Sequence, residues 1–262
     1  MKNALQSPTL PLSELEITFP TLASVESFYQ DDPDCHAAIV NSFTKACWET
    51  EVLCKHRAHI QKSALGMGIP AFHWLWKLII DEMPSSFRFL EIGVYKGQVI
   101  NLIGVLAYLQ KKDASVFGIT PLGTDGDKYG GYEEVDYGKL IDGLESWSGI
   151  PNAYKARILK GSSADQEIKK KAREAAPFDA IYIDGSHDYN MAAHDIVIYS
   201  DMVREGGYLL TDDSGTCLKI PQGIFAGHPD ATRAVEEILV PDTRFKEVCA
   251  ISHIRVWRKL KM

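Results

Sequence analysis

Between residues 86 and 213 the chain alternates short apolar runs with amphipathic stretches. The runs "FRFLEIG", "FDAIYID" and "GGYLLTDD" do not alternate with period two as a half-wet strand would. Continuous runs of this kind suit parallel strands covered on both faces. The pattern predicts strands over 88–92, 115–119, 156–160, 178–184 and 207–211. Between them it predicts helices over 97–110, 137–147, 166–175 and 189–203, the last with Tyr189, Ala192, Ala193, Ile196, Tyr199 and Val203 on one face. Two late segments, 244–251 and 253–259, predict an antiparallel pair at an edge. The resulting order predicts an α/β chain built on a doubly wound, mostly parallel seven-stranded sheet.

Upstream the pattern changes. Residues 1–30 mix Pro, Ser, Thr and Leu without sustained periodicity and read as an arm, of the kind that mediates homo-oligomer contacts. Ala37, Val40, Phe43, Ala46, Cys47 and Leu53 predict a helix over 33–62, and a second helix over 71–82 follows Gly66, Gly68 and Pro70. The chain therefore divides into an arm with a helical cap over 1–84 and an α/β domain over 85–262.

Composition narrows the partners. The net charge of -7, with no basic run beyond 169–171 and the C-terminal tail, argues against nucleic acid and for a small molecule. Five cysteines without CxxC spacing argue against a disulfide framework or a zinc knuckle and fit a reducing cytoplasm. No apolar stretch approaches the ~20 residues that span a bilayer, and the N-terminus lacks a signal-like pattern, so neither membrane insertion nor secretion is expected.

In doubly wound sheets ligands bind at the carboxyl ends of the strands, which gives most weight to Glu91, Thr120, Asp184, Asp212 and Asp213. The stretch "FLEIGVYKGQ" at 89–98 has neither GxGxxG nor GxxxxGK[ST], so the usual phosphate cradles are missing. A carboxylate at that strand end suits a cationic or hydrogen-bond-donating ligand instead. These residues resemble the first motif of the class I S-adenosylmethionine-dependent methyltransferases. "FDAIYIDGSHDY" followed by "REGGYLLTDD" resembles the fourth and fifth strand regions of metal-assisted small-molecule O-methyltransferases of the macrolide-sugar and catechol types, and the similarity runs over about residues 86–215.

The resemblance implies a Rossmann-like methyltransferase fold with S-adenosylmethionine as cofactor. It implies that Gly93, Tyr95 and Gly97 let the backbone approach the methionine part, and that Glu91 lies near its ammonium group. Ser162 and Ser163 of "LKGSSAD" fall at the adenine-contacting turn, and Asp184 also borders the cofactor. Thr120 departs from the pattern, because most of these enzymes carry there an acidic residue that grips both ribose hydroxyls. A threonine makes a single hydroxyl contact. Either another group, such as Asp125 or Asp127, holds the ribose, or the pocket is altered.

Asp184, Asp212 and Asp213 close strands that lie about 4.8 Å apart as neighbours. Such a cluster shares a proton, pairs with a base or binds a cation, and a hard dication such as Mg²⁺ is the natural partner. The expected metal ligands are Asp184, Asp212 and Asp213, with His187 or Asp184 as the base nearest the acceptor. The plainer reading makes Asp188 or Asp213 a helix cap and His187 a backbone hydrogen bonder. His194 reads as structural. The loop 121–136 reads as a lid bearing Tyr129 and Tyr132, and Phe72, His73, Trp74 and Trp76 read either as acceptor-pocket lining or as core. The expected activity is Mg²⁺-assisted transfer of a methyl group from S-adenosylmethionine to a hydroxyl of a sugar or secondary metabolite. The alternatives are a metal-free methyltransferase with His187 as base, and a binding protein without turnover.

Overall fold

The computed structural model describes residues 17–123 and 134–261. Its single sheet contains β1 (Ser86–Ile92), β2 (Asp113–Thr120), β3 (Arg157–Lys160), β4 (Phe178–Ile183), β5 (Val203–Thr211), β6 (Phe245–Ile251) and β7 (Ile254–Lys259), in the order β3-β2-β1-β4-β5-β7-β6. β1 to β5 pair in parallel, and β7 runs antiparallel between β5 and the edge strand β6. The helices are α1 (Leu22–Phe28), α2 (Pro33–Glu49), α3 (Glu51–Ser63), α4 (Ala71–Glu82), α5 (Gln98–Leu109), α6 (Tyr137–Ser148), α7 (Gln166–Ala175), α8 (Tyr189–Ser200) and α9 (Pro229–Ala234), the last running into a π-helical turn over Val235–Leu239.

Alternate residues of the central strands feed two cores, which is why their apolar runs are unbroken. Phe87, Phe89, Val116, Ala180, Tyr182, Tyr208 and Leu210 pack on the face covered by α4 and α5. Leu90, Ile92, Phe117, Ile119, Ile181, Ile183 and Leu209 pack on the face of α7, α8 and the π-helical turn. The N-terminal helices share the first core: Trp76 stands edge-on to Phe89 at 5.8 Å and to Tyr182 at 4.9 Å. Buried polar contacts tie them further, with His56 Nδ1 3.0 Å from His73 Nε2 and His56 Nε2 3.1 Å from Asn101 Oδ1. Among the described residues no helix is long and apolar enough to cross a membrane.

Three expected boundaries move. The helix expected over 33–62 breaks at Thr50, whose extended backbone (φ −93°, ψ 110°) ends α2 and starts α3. Within the expected arm, α1 forms because Thr21 and Ser24 cap it reciprocally, side chain to backbone N–H. The helix expected over 189–203 stops at Ser200, because Val203 pairs with Phe178 and so belongs to β5. There the tertiary pairing overrides an apolar residue that falls on the helical face.

The carboxyl edge is in close register. Gly161 N–H donates to Thr120 O, Gly93 to Ile119 O, Asp184 to Ile92 O and Asp212 to Ile183 O, at 2.8–3.0 Å. The residues following β3, β1, β4 and β5 thus stand side by side, and strand order reverses between β1 and β4.

Candidate functional site

The turn after β1 is shaped by close backbone approach. At Gly93 (φ 93°) a Cβ would lie 1.7 Å from the Asp184 carbonyl oxygen, so no side chain fits. Gly97 (φ 91°) opens α5, and Tyr95 (φ 48°) stands between the two glycines with its ring 5.8 Å from that of Tyr137. The α3–α4 loop closes over this turn: Lys96 Nζ donates to Ala64 O, and Arg57 donates to the carbonyls of Met67 and Gly68.

Glu91 is buried beneath the turn. Its carboxylate accepts the N–H of Ile100, yet Oε2 accepts no hydrogen bond. Burial, reinforced by the charge of Asp212, pushes this carboxyl well above the usual range, while the Ile100 N–H acts in the opposite sense. Along the same edge Thr120 is buried and its hydroxyl accepts the N–H of Leu122 at 3.2 Å. Ser162 Oγ accepts the N–H of Ala164, and Ser163 is tied to Asp195 through its side chain and to the Tyr199 hydroxyl through its carbonyl. Asp125, Asp127, Tyr129 and Tyr132 lie outside the described residues.

Beyond β4 and β5 the acidic residues meet as their strand ends require. The Asp184 and Asp212 carboxyls lie close enough to interact directly, an arrangement that two buried acids hold by sharing a proton. Burial drives both upward from the ordinary range, and for Asp184 the charges of Asp212, Asp213 and Glu91 add to it. Asp212 Oδ1 is buried and accepts no hydrogen bond. Asp213 adopts the left-handed region (φ 50°), which an aspartate tolerates better than most side chains. The backbone holds it there: His228 N–H donates to Asp213 O at 2.9 Å, and a Cβ on Gly227 would lie 2.3 Å from that oxygen.

Three imidazoles surround this turn. His187 Nε2 is 2.6 Å from Asp213 Oδ2, His228 Nε2 is 3.9 Å from the same oxygen, and His253 Nε2 is 3.4 Å from Asp212 Oδ1 and 3.9 Å from Asp213 Oδ1. Burial alone would raise Asp213, but the hydrogen bond from His187 and the charges of the three histidines hold its carboxyl below the usual range. Among the described residues two groups bring three ligand atoms within 4.8 Å of one another: His187, Asp213 and His228, and Asp212, Asp213 and His253. Asp184 stands behind Asp212 and is in neither group.

The sequence thus nominated His187, Asp212 and Asp213, which the fold brings together, and missed His228 and His253. His228 precedes the proline that starts α9, and His253 sits in the Ser252–His253 turn joining β6 to β7. Neither is at the end of a parallel strand, so no strand-end rule selects them. Phe72 meets His253 edge-on at 5.1 Å, and Phe225 approaches His253 at 5.0 Å and His228 at 5.5 Å, which makes an aromatic wall beside the histidines. Trp76 is core, Trp74 donates to Phe19 O away from the site, and His73 bonds to His56. His194 bonds to Asp195, and Asp188 caps α8.

The donor chemistry fits two cationic partners. A buried carboxylate with an orphaned oxygen beneath two obligatory glycines fits the ammonium-bearing end of S-adenosylmethionine. Asp212 Oδ1 with the surrounding imidazoles fits a dication.

A family model described as a methyltransferase domain matches residues 90–214. An uncharacterised protein of Acanthamoeba polyphaga mimivirus is 27% identical over an alignment of 152 residues that covers 54% of this chain and 58% of that relative's length. The fold is similar to that of a Corynebacterium glutamicum protein (TM-score 0.58, 13% identity, 85% of this chain and 96% of that one). It is also similar to the O-methyltransferase TomG of Streptomyces achromogenes, solved with S-adenosylmethionine (TM-score 0.52, 15% identity, 81% of this chain and 91% of that one). A third is the Podospora anserina methyltransferase PaMTH1, solved with S-adenosylhomocysteine (TM-score 0.52, 14% identity, 92% of this chain and 93% of that one).

Proposed function

We propose, for a chain that has the class I S-adenosylmethionine-dependent methyltransferase fold and carries that domain's sequence over residues 90–214, that it methylates a hydroxyl group of a sugar or other small secondary metabolite with help from a dication. The observation that carries this reading is the convergence of the Asp184–Asp212 pair and the His187–Asp213 pair at the ends of adjacent strands, one turn away from Glu91 and Gly93. TomG and PaMTH1 were solved with the methyl donor and its product, which supports the same cofactor here.

Each residue then has a part. Gly93 lets the Asp184 backbone close against the turn and Gly97 supplies the left-handed step into α5, so that the methionine end can lie on the backbone between them, and Glu91 faces its positive charge. Asp213 fixes the ring of His187 and stabilises the charge that ring gains on taking the acceptor's hydroxyl proton. Asp212 and Asp213, with Asp184 beside Asp212, would hold the dication, for which the sequence nominates Mg²⁺. A bound dication supplies Lewis acidity that lowers the hydroxyl's pKa and fixes its line of attack on the sulfonium methyl. Phe72 and Phe225 offer apolar walls for the acceptor. The five free cysteines support work in a reducing compartment such as the cytoplasm.

A second reading rests on the 2.6 Å His187–Asp213 contact, which resembles a base with its orienting acid and could work without metal. One assay separates the two: methyl transfer from labelled S-adenosylmethionine to a panel of hydroxylated acceptors, with and without chelator. The leading reading expects turnover that the chelator abolishes and a dication restores. Turnover indifferent to chelator would favour the metal-free route, and absence of any S-adenosylhomocysteine binding by calorimetry would reject both.

A further inference from the structure

Five donor side chains converge beyond β4 and β5: the carboxylates of Asp212 and Asp213 and the imidazoles of His187, His228 and His253. Magnesium takes oxygen ligands in a strict octahedron and keeps several waters, whereas imidazole nitrogen suits Fe²⁺, Ni²⁺, Cu²⁺ and Zn²⁺. A site lined by three imidazoles is poorly matched to the hard ion that the strand-end carboxylates alone would suggest. We propose that His187, His228 and Asp213 Oδ2 bind an imidazole-accepting first-row dication of the Fe²⁺ to Zn²⁺ range, in place of Mg²⁺. This rests on the cation part of the proposed function, names the ion's class and makes His187 one of its ligands, so that the proton-accepting role given to His187 above belongs to the metal-free reading alone.

The arrangement is built by the main chain. The rings of His187 and His228 stack at 4.2 Å with a 30° tilt, and each has Nε2 turned to the same Asp213 oxygen. His228 reaches this place because its own N–H bonds to the Asp213 carbonyl and because Gly227 has no Cβ to collide with it. Ligands about 2.0–2.1 Å from a zinc-like ion stand ~3.3 Å apart at tetrahedral angles. The contacts of 2.6 and 3.9 Å bracket that spacing, so small side-chain rotations reach it. A second observation points to a cation independently: Asp212 Oδ1, on the other side of the turn, is buried and accepts no hydrogen bond. His253 stands 3.4 Å from it, in a second group of donors that shares only Asp213 with the first.

The test uses the full chain, stripped with chelator and titrated with Co²⁺, whose visible absorption shifts and strengthens when protein ligands replace water, and then with Zn²⁺ and Mg²⁺ as competitors. The proposal expects Zn²⁺ to displace Co²⁺ near stoichiometry and about 100-fold excess Mg²⁺ to leave the spectrum unchanged. It expects His187→Ala and His228→Ala each to lower Co²⁺ affinity by more than about 10-fold, which even an outer-shell partner can cost. The metal-free melting temperature controls for folding, and His187→Gln or His228→Gln replaces any variant that melts low. If Mg²⁺ competes at similar concentration, or both histidine variants bind Co²⁺ like the parent, the inference is wrong. The cation part of the proposed function would then survive only if Asp212→Asn abolished Mg²⁺ binding. If no dication binds, both fail together.

Discussion

Glu91 shows how one buried group can be a cost in the empty protein and an asset in the loaded one. Its carboxyl is raised by burial and then by Asp212, so the folded chain keeps a proton that the unfolded chain releases near pH ~4.3. For a group raised in this way, its contribution to stability is full below that pH and is lost as pH climbs through the folded value. Glu91→Gln removes the penalty and keeps an acceptor for the Ile100 N–H. The variant should melt a few degrees higher than the parent at neutral pH without ligand, the shift expected of roughly 1 kcal/mol in a chain of this length. It should also bind S-adenosylhomocysteine roughly 10-fold more weakly, a cost of about 1.4 kcal/mol in lost charge pairing. A cation beside the carboxyl expels its proton, so binding to the parent should release protons. Calorimetry in two buffers of different ionisation enthalpy measures that release, and Glu91→Gln should abolish most of it. A parent whose binding heat is independent of buffer would mean that Glu91 does not face the ligand's charge.

At the scale of elements, the buried bond between α3 and α4 sets an acid limit. His56 is held down to about 4 by burial, with His59 and Arg57 acting in the same sense, and burial also lowers His73. Both stay neutral in the fold and charge in the unfolded chain near pH ~6.5. For bases lowered in this way, the stability is present above the unfolded value and is lost as pH falls towards about 4. The loss for His56 amounts to roughly 3 kcal/mol, at about 1.4 kcal/mol per pH unit. Urea unfolding of His56→Gln/His73→Gln should therefore show a flatter profile than the parent between those limits, and parallel profiles would rule the pair out as the cause. Sequence could not announce this bond, since 17 residues separate the two histidines and neither breaks its helical pattern. The same limit explains the site. Asp184, Asp212 and Asp213 were legible because β4 and β5 end in long apolar runs, and strand ends are where ligands bind. His228 and His253 were not, because a post-β5 segment and a hairpin turn carry them in from elsewhere in the chain. Likewise Thr50 and Val203 interrupt helices for reasons of packing and pairing that no local period records.

For the molecule as a whole, sequence pattern and packing disagree about where the folding unit begins. The change of pattern near residue 84 suggests a cap that ends before the α/β domain starts, yet α4 lies on the sheet as α5 does. Leu75, Trp76, Leu78 and Ile79 are fully buried in the core that contains Phe89, Tyr182, Tyr208 and Leu210. Removing the cap would leave α5 alone of the two helices on that face and expose Tyr182, Tyr208 and Leu210 of β4 and β5, an apolar area that a folded domain does not tolerate in water. A chain starting at residue 85 should therefore bind an apolar dye, melt without a cooperative transition and fail to bind S-adenosylhomocysteine, although every cofactor residue named above is still present. Trp76→Ala in the full chain should give the graded version. Truncating a large buried aromatic costs roughly 3–5 kcal/mol, which at roughly 2–4 °C per kcal/mol lowers the melting temperature by about 10 °C while the transition stays cooperative. A cooperative, ligand-binding 85–262 fragment would show the cap to be a separate domain. Failure of that fragment beside a cooperative Trp76→Ala chain would show that the methyl-donor site exists only because the helices before the first strand complete its sheet.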